Sequence, residues 1–160
     1  MNKIPTHTIM TTIKLTTIID APIERCFDLA RSIDLHLRST GKTQEKAIAG
    51  RTSGLIEQGE TVTWEAVHFG VRQRLTSTIG EMKPPHFFSD EMVTGAFKSL
   101  YHEHHFEIKN GRTEMTDVFS YETPFGSLGR LFNVLVLKRY MTRFLKQRNA
   151  VIKSEAEAKG

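Results

Sequence analysis

Three histidines within four positions, followed by a single aspartate, are the residues of this chain best suited to chemistry. His102, His104 and His105 lie in the segment YHEHHFEIKNGRTEMTDVFSY, which also contains Asp117. Imidazole and carboxylate groups can bind a metal ion, act as a general acid and base, or orient a ligand by hydrogen bonding. Which of these is possible depends on the face of the surrounding structure that each side chain occupies.

An Asn110–Gly111 pair predicts that this segment folds as a β-hairpin, because both residues tolerate the positive φ of a two-residue type I′ turn. A turn there places His104 directly opposite Asp117, close enough for a hydrogen bond. His102 then lies one pleat further along the same face, turned into the interior. Since that face carries most of the apolar residues of the hairpin, we expect it to be the inner face of a sheet.

A second hairpin is predicted earlier in the chain, with its turn at Phe69 and Gly70. This turn pairs Trp64 with Leu75 on an apolar face and places opposite charges on the other face. Two prolines then break the pattern, because proline cannot donate to a β-ladder. The segment HFFSDEMV that follows is predicted to be a further strand.

The remaining elements are helical, apart from a first strand rich in Thr and Ile in the segment HTIMTTIKLTTIID. Two short helices are predicted after that strand, and a long helix from about residue 128 to residue 153 follows the last hairpin. The core-facing side of the long helix is predicted to consist of Val134, Leu137, Met141, Phe144, Leu145 and Ile152. This order of elements defines an α+β fold with the helices on one side of an antiparallel sheet.

The first half of the long helix is apolar on all sides, because Phe132, Leu135 and Val136 lie on its otherwise basic back. These three side chains are predicted not to be all solvent-exposed in the functional form. They would line a cavity mouth, contact a second chain or touch a membrane. The protein is therefore expected to be a monomer or a homodimer, with membrane contact as a further alternative.

Length and composition are typical of one domain, residues 1–160, with a frayed tail from about residue 154. Cys26 is the single cysteine, so an internal disulfide is excluded. The chain has no apolar run of signal-peptide or membrane-spanning length, and a cytoplasmic location is expected. A formal net charge of +4 can come from one surface helix as easily as from a nucleic-acid face, and a solvated helix back explains Arg139, Arg143 and Lys146, so nucleic acid is not expected as a partner.

Four segments, FSDEMVTGAF, HEHHF, MTDVFSYETP and GSLGRL, together with the order of elements, resemble the START-like or SRPBCC superfamily. The resemblance spans nearly the whole chain and is strongest to the bacterial group described as polyketide cyclase/dehydrase or lipid transport proteins, some labelled cell division inhibitors. It implies a helix-grip fold, in which a curved antiparallel sheet wraps around the long C-terminal helix. It also implies a cavity for a hydrophobic small molecule, lipid-like or polyketide-like, with no cofactor and no particular ligand.

The histidines and aspartates allow three interpretations. A metal site is disfavoured, because the chain has no HExxH motif and no cysteine pair. A buried histidine and aspartate could simply satisfy each other by hydrogen bonding. They could instead form the polar part of a pocket wall. The residues predicted to bind a ligand in that pocket are Trp64, His68, Leu75, Asp90, Met92, His102, His104, Phe106, Met115, Asp117, Phe119, Tyr121 and Met141.

Catalysis is the alternative to simple binding. His104 and Asp117 are the candidate pair, acting as general base and acid on a bound ketone in a cyclase or dehydratase reaction. No serine lies in a nucleophile elbow, and Cys26 lies in a helix with apolar spacing. A binding protein is therefore favoured over an enzyme.

Overall fold

An antiparallel sheet and a long C-terminal helical run dominate the computed structural model, which describes residues 10–158. The predicted first strand began at His7, which lies outside the described residues. The strands are β1 (Thr11–Ile19), β2 (Lys46–Gly50), β3 (Thr61–His68), β4 (Val71–Lys83), β5 (Phe87–Thr94), β6 (Ser99–Lys109) and β7 (Arg112–Glu122). The helices are α1 (Ile23–Ala30), α2 (Ile33–Ser39), a 3₁₀ turn (Gly41–Thr43), α3 (Gly126–Phe132), a π-helical segment (Asn133–Leu137) and α4 (Lys138–Glu157).

Within these residues the seven strands form one sheet in the order β1-β7-β6-β5-β4-β3-β2. Every neighbouring pair is antiparallel, and β1 pairs with β7, so the first and last strands of the sequence are adjacent. The two short helices connect β1 to β2, which lie at opposite edges of the sheet. The predicted α+β helix-grip fold is confirmed.

Both predicted hairpin registers are confirmed. In β6 and β7, His104 lies opposite Asp117 and His102 opposite Phe119, as the Asn110 turn requires. That asparagine has a φ of 52°. In β3 and β4 the predicted pairs also face each other, around a turn in which both central residues have positive φ. Turn chemistry therefore determines which side chains of these four strands point inward.

The long helix differs from the prediction at both ends. The π-helical segment contains an extra residue per turn, which shifts the phase of the helix. Asn133 and Leu137 consequently face inward, whereas Val134, predicted to face the core, is 77% exposed. The tail predicted to fray from about residue 154 is helical up to Glu157, and Ala156 is buried. Residues 159 and 160 lie outside the described part.

The apolar core has two parts. The larger lies under α1, where the ring of Phe27 makes edge contacts with Phe88 and Phe106 at centroid distances of 5.5 Å. The smaller is formed where Leu137 and Leu145 of the helical run pack against β1, β6 and β7. α1 and α4 thus cover the sheet without filling all the space above it.

Candidate ligand-binding site

A cavity of about 670 Å³ lies between the inner face of the sheet and the helical run of residues 126–157. Aliphatic and aromatic side chains form most of its wall, among them Val62 and Ile79 from the sheet and Phe144 from α4. Pockets that bind small molecules typically have volumes of roughly 300–1,000 Å³ and a mainly apolar lining with a few polar groups. The cavity falls within that range.

Eight of the predicted ligand-binding residues line the cavity: Trp64, His68, Leu75, Asp90, His102, His104, Phe119 and Met141. The other five, Met92, Phe106, Met115, Asp117 and Tyr121, do not contribute to its wall.

Each of those five points toward the helices but meets a neighbour that covers it. Phe106 and Met115 are buried in the core under α1. Met92 packs against the smaller core, and the hydroxyl of Tyr121 donates a hydrogen bond to Asn133 in the π-helical segment. Asp117 is completely buried behind the two histidines. An inward-facing strand position therefore need not be a cavity position in this fold.

Two histidines and an aspartate form the polar part of the cavity wall, here called the polar floor (Asp90, His102 and His104). Nε2 of His104 lies 3.0 Å from Oδ2 of Asp90, and Nδ1 of His102 lies 3.8 Å from the same oxygen. The two imidazole rings are in contact, with centroids 3.9 Å apart. A metal ion bound here would use these three residues, since they offer donor atoms that lie within 4.8 Å of one another.

Asp117 supports the polar floor from behind. Its Oδ1 accepts a hydrogen bond of 2.9 Å from Nε2 of His102, and its Oδ2 accepts one of 2.6 Å from Nδ2 of Asn149 in α4. The guanidinium of Arg148 lies 3.6 Å from Oδ1 and donates to the carbonyl of Ala30 at 2.8 Å. The C-terminal helix and the sheet are thus joined by a buried polar network.

The predicted hydrogen bond between His104 and Asp117 is replaced by a diagonal one. Nδ1 of His104 does lie 2.9 Å from Oδ1 of Asp117, but without the alignment of a hydrogen bond, so that this buried nitrogen has no partner. The aligned bond comes from His102, one pleat away. Register alone predicted the neighbours correctly, whereas the side-chain rotamers decide which of them is bonded.

The electrostatics of the network favour ionised carboxylates and a neutral His102. Burial opposes ionisation of Asp117, but the hydrogen bond from His102 and the adjacent imidazole of His104 hold the pKa of Asp117 well below its usual value. Burial likewise opposes ionisation of Asp90, yet the hydrogen bond from His104 keeps its pKa lowered. Burial, together with the neighbouring His104, lowers the pKa of His102.

Two further polar contacts lie on the cavity wall. Nδ1 of His68 and the hydroxyl of Tyr140 share a hydrogen bond of 2.7 Å across the gap between β3 and α4. Nε2 of His36 lies 3.1 Å from Oε1 of Glu45, and its ring packs on Trp64 at a centroid distance of 4.3 Å. All five side chains line the cavity.

Sequence reasoning missed the helical half of the site. Arg148 and Asn149 lie between Leu145 and Ile152 at helical spacing, on the stripe that faces the sheet. Two polar residues on an otherwise apolar stripe must find buried partners, which was a usable signal. Tyr140 gave no such signal, because it lies beside the π-helical segment, where the phase of the helix changes.

Exposed apolar side chains surround part of the cavity, here called the mouth (Phe69, Phe125, Leu128 and Phe132). Phe69, at the turn between β3 and β4, packs against Phe132 with ring centroids 5.6 Å apart. Phe125 and Leu128 are 83% and 70% exposed and also line the cavity. Leu135 and Val136, further along the helical run, are exposed without lining the cavity. The role predicted for the apolar half of the helix stays a prediction.

The helices of residues 10–158 include none that is both long and apolar enough to cross a lipid bilayer.

The sheet, the helix that packs across it and the cavity between them define a helix-grip protein, and the sequence identifies its family. Residues 19–146 match the family described as polyketide cyclase / dehydrase and lipid transport. The chain belongs to that family, and the resemblance noted in the sequence is confirmed. No curated protein sequence matches the chain significantly.

Three solved structures illustrate the likeness of fold. The ZhuI aromatase/cyclase from Streptomyces sp. R1128 has a TM-score of 0.74 at 15% identity, covering 93% of this chain and 94% of its own. The protein TTHA0849 from Thermus thermophilus has a TM-score of 0.70 at 18% identity, covering 91% and 99%. Major latex-like protein 151 from Panax ginseng has a TM-score of 0.68 at 17% identity, covering 93% and 99%. At these identities the likeness concerns the fold.

Proposed function

We propose that this protein binds a hydrophobic or aromatic small molecule, lipid-like or polyketide-like, in the cavity between the sheet and the helical run. The observation that carries the proposal is a mainly apolar cavity of about 670 Å³ whose wall contains the polar floor, a compact cluster of two histidines and an aspartate. Apolar walls favour the body of such a molecule through the hydrophobic effect. A few fixed polar groups then set its orientation.

The hydrogen-bonding atoms of the polar floor indicate which polar groups a ligand would need. Asp117 accepts hydrogen bonds only, so Nε2 of His102 carries the proton and Nδ1 has a free lone pair. Nδ1 of His102 can therefore accept a hydrogen bond from a ligand hydroxyl. A ligand carbonyl would instead accept from Nε2 of His104, which now donates to Asp90. The expected ligand is an apolar molecule with one carbonyl or hydroxyl group at the end that reaches the floor.

Native mass spectrometry of the freshly purified protein tests for a copurifying ligand, and titration with the fluorescent probe anilinonaphthalene sulfonate tests the cavity itself. Leu75→Trp enlarges a cavity-lining side chain and should weaken binding of the probe at least tenfold. Ile108→Trp is the matched control, because Ile108 is 65% exposed and does not line the cavity. Equal affinity of the wild type and Leu75→Trp, with both folded, would contradict the proposal.

A catalytic role is the second candidate, and the hydrogen bond from His102 to Asp117 favours it. A carboxylate that orients an imidazole through one nitrogen leaves the other nitrogen free to act as a general base. In a dehydration, Nδ1 of His102 would take the proton from the carbon next to a ketone. Nε2–H of His104 would hydrogen-bond the resulting enolate oxygen, and the imidazolium of His102 would return its proton to the β-hydroxyl, which leaves as water. This gives a conjugated enone and restores the neutral imidazole.

An aryl β-hydroxyketone is a suitable probe for this reaction, because its dehydration product absorbs at longer ultraviolet wavelengths. His102→Gln should abolish turnover while retaining binding of the probe, measured by fluorescence competition. His105→Ala is the control, since His105 lies on the outer face and pairs with Glu103. Turnover that is absent in the wild type, or unchanged in His102→Gln, would leave binding as the function.

A further inference from the structure

Three potential metal ligands converge on one point of the cavity wall. Asp90 offers a carboxylate oxygen, and His102 and His104 each offer a ring nitrogen, all within 4.8 Å of one another. Oδ2 of Asp90 lies 3.0 Å from Nε2 of His104 and 3.8 Å from Nδ1 of His102. Ligand atoms bound at about 2.0–2.2 Å from one ion lie roughly 3–4 Å apart. Only small side-chain movements would therefore bring the three atoms to a common ion.

The groups behind these residues are arranged as metal sites require. Metal-bound imidazoles usually donate their second N–H to a carboxylate, which fixes the tautomer and strengthens the ligand. Both histidines have their second nitrogen 2.9 Å from Oδ1 of the same carboxylate, Asp117. That carboxylate is itself held by Asn149 and is completely buried. One aspartate thus lies behind both imidazoles, and of the two only His102 is aligned for a hydrogen bond with it.

A bound metal would also change the surroundings of Nδ1 of His104, a fully buried nitrogen that has no hydrogen-bond partner. With its proton on Nε2 to reach Asp90, His104 directs the lone pair of Nδ1 toward Asp117, 2.9 Å away, and this buried atom has no hydrogen bond. If Nε2 instead binds a metal ion, the proton moves to Nδ1 and faces the carboxylate oxygen. Both imidazoles are then neutral ligands. Nε2 of His102 already donates to Oδ1 of Asp117, and Nδ1 of His104 would need a rotation of its ring to align its proton with the same oxygen, 2.9 Å away.

The charge of the cluster suits a dication. Asp90 and Asp117 are the two carboxylates of the cluster, and the guanidinium of Arg148 supplies one positive charge. With neutral imidazoles the cluster has one more negative than positive charge. A divalent ion reverses that balance, and the site could then attract an anionic or carbonyl oxygen of a molecule in the cavity.

We propose that Asp90, His102 and His104 bind a divalent transition-metal ion, Zn²⁺ or Fe²⁺, on the wall of the cavity. Two imidazoles and one carboxylate are a typical ligand set for these ions, and the remaining positions face the cavity. A metal site was disfavoured from the sequence because the chain has no HExxH motif and no cysteine pair. The ligands here come from two neighbouring strands, with β6 contributing both histidines. This proposal does not depend on the binding of an organic ligand.

Tag-free protein, stripped with a chelator and dialysed, is titrated with Co²⁺ alone, and its visible d–d absorption bands are recorded. We expect one ion per chain, with intense bands that report low coordination number, and displacement of Co²⁺ by Zn²⁺. Asp90→Asn preserves the shape of the side chain while removing its charge, and it should weaken Co²⁺ binding at least tenfold. His102→Ala should do the same. Affinities are measured by competition with a chromogenic chelator.

His105→Ala is the matched control, because this histidine is adjacent in sequence but lies on the outer face of the sheet. It should bind Co²⁺ as the wild type does. Circular dichroism and thermal unfolding establish that each variant is folded, and Asp90→Asn decides the outcome if His102→Ala does not fold. Absence of stoichiometric Co²⁺ binding overturns the proposal, as does equal affinity of Asp90→Asn and the wild type. Since no organic molecule is present, a negative result leaves hydrophobic binding in the cavity unaffected.

Discussion

Replacement of Asp117 by asparagine should destabilise the protein strongly, although the two side chains have nearly the same shape. Asp117 is completely buried and accepts hydrogen bonds from two donors, Nε2 of His102 at 2.9 Å and Nδ2 of Asn149 at 2.6 Å. An amide has only one acceptor atom. In the Asp117→Asn variant its NH₂ group would therefore face one of these donors, leaving buried groups unpaired.

The expected loss follows from the burial of the network. Leaving a buried polar group unpaired costs about 1–3 kcal/mol, and removing one partner from a buried charge pair costs about 3–5 kcal/mol. These figures overlap, because both include the cost of the unpaired group. Arg148 keeps its hydrogen bond to Ala30, which favours the lower end of the second range. We expect a loss of about 3 kcal/mol, a large share of the roughly 5–15 kcal/mol typical of domains.

Urea unfolding followed by the fluorescence of Trp64, the single tryptophan, measures this loss. The comparison also has a defined pH dependence. Because the pKa of Asp117 is lowered in the folded protein, its contribution is present above the unfolded value near 3.8 and is lost as the pH falls through the folded value. The difference between wild type and variant should thus be constant near neutral pH and shrink in acid. Glu103→Gln, on the outer face, is the control and should change stability much less. A loss below about 1 kcal/mol for Asp117→Asn would refute the reasoning.

Three further predictions concern other parts of the chain. Burial raises the pKa of the Cys26 thiol, so it should not react with Ellman's reagent in the native protein but should react fully in denaturant; rapid native labelling would contradict its burial. Burial raises the pKa of Tyr121 to about 12, so its contribution to stability should be present below the unfolded value near 10 and lost as the pH rises through about 12, which ultraviolet titration against Tyr121→Phe can measure. Replacing Phe132, Leu135 and Val136 together with serine should leave the fold intact but impair ligand uptake, dimerisation or vesicle binding; no change in any of the three assays would show that this surface has no such role.

The sheet could be predicted from the sequence because its turns are chemically explicit. Asn110 and Gly111 both adopt positive φ, at 52° and 72°, and this fixes the register of β6 and β7 residue by residue. The register in turn placed His102 and His104 on the inner face, where the structure has them. A turn signal of this kind depends on two adjacent residues, and the folded protein has the turn that they predict.

The helical half of the site could not be predicted with the same accuracy. A helical wheel assumes a constant period, and the π-helical segment breaks that assumption, so that Val134 was assigned to the wrong side. Whether an inward residue reaches the cavity depends on which helix covers it, as with Phe106 under α1. The choice of His102 over His104 as the partner of Asp117 depends on rotamers, which a strand pattern does not specify.

The π-helical segment, Asn133–Leu137, also has a consequence for how the length of this protein can change. A π turn holds one residue more than an α turn, so deleting one residue there would restore a regular helix. Asn149 and Ile152 would keep their places against the sheet, because the segment lies ahead of α4 in the chain. The residues of α3, which precede the π-helical segment, would likewise keep their spacing relative to one another. We therefore expect insertions and deletions between relatives to occur at this point of the helix. Such a change would alter the surface around the mouth and leave the geometry of the buried network unchanged.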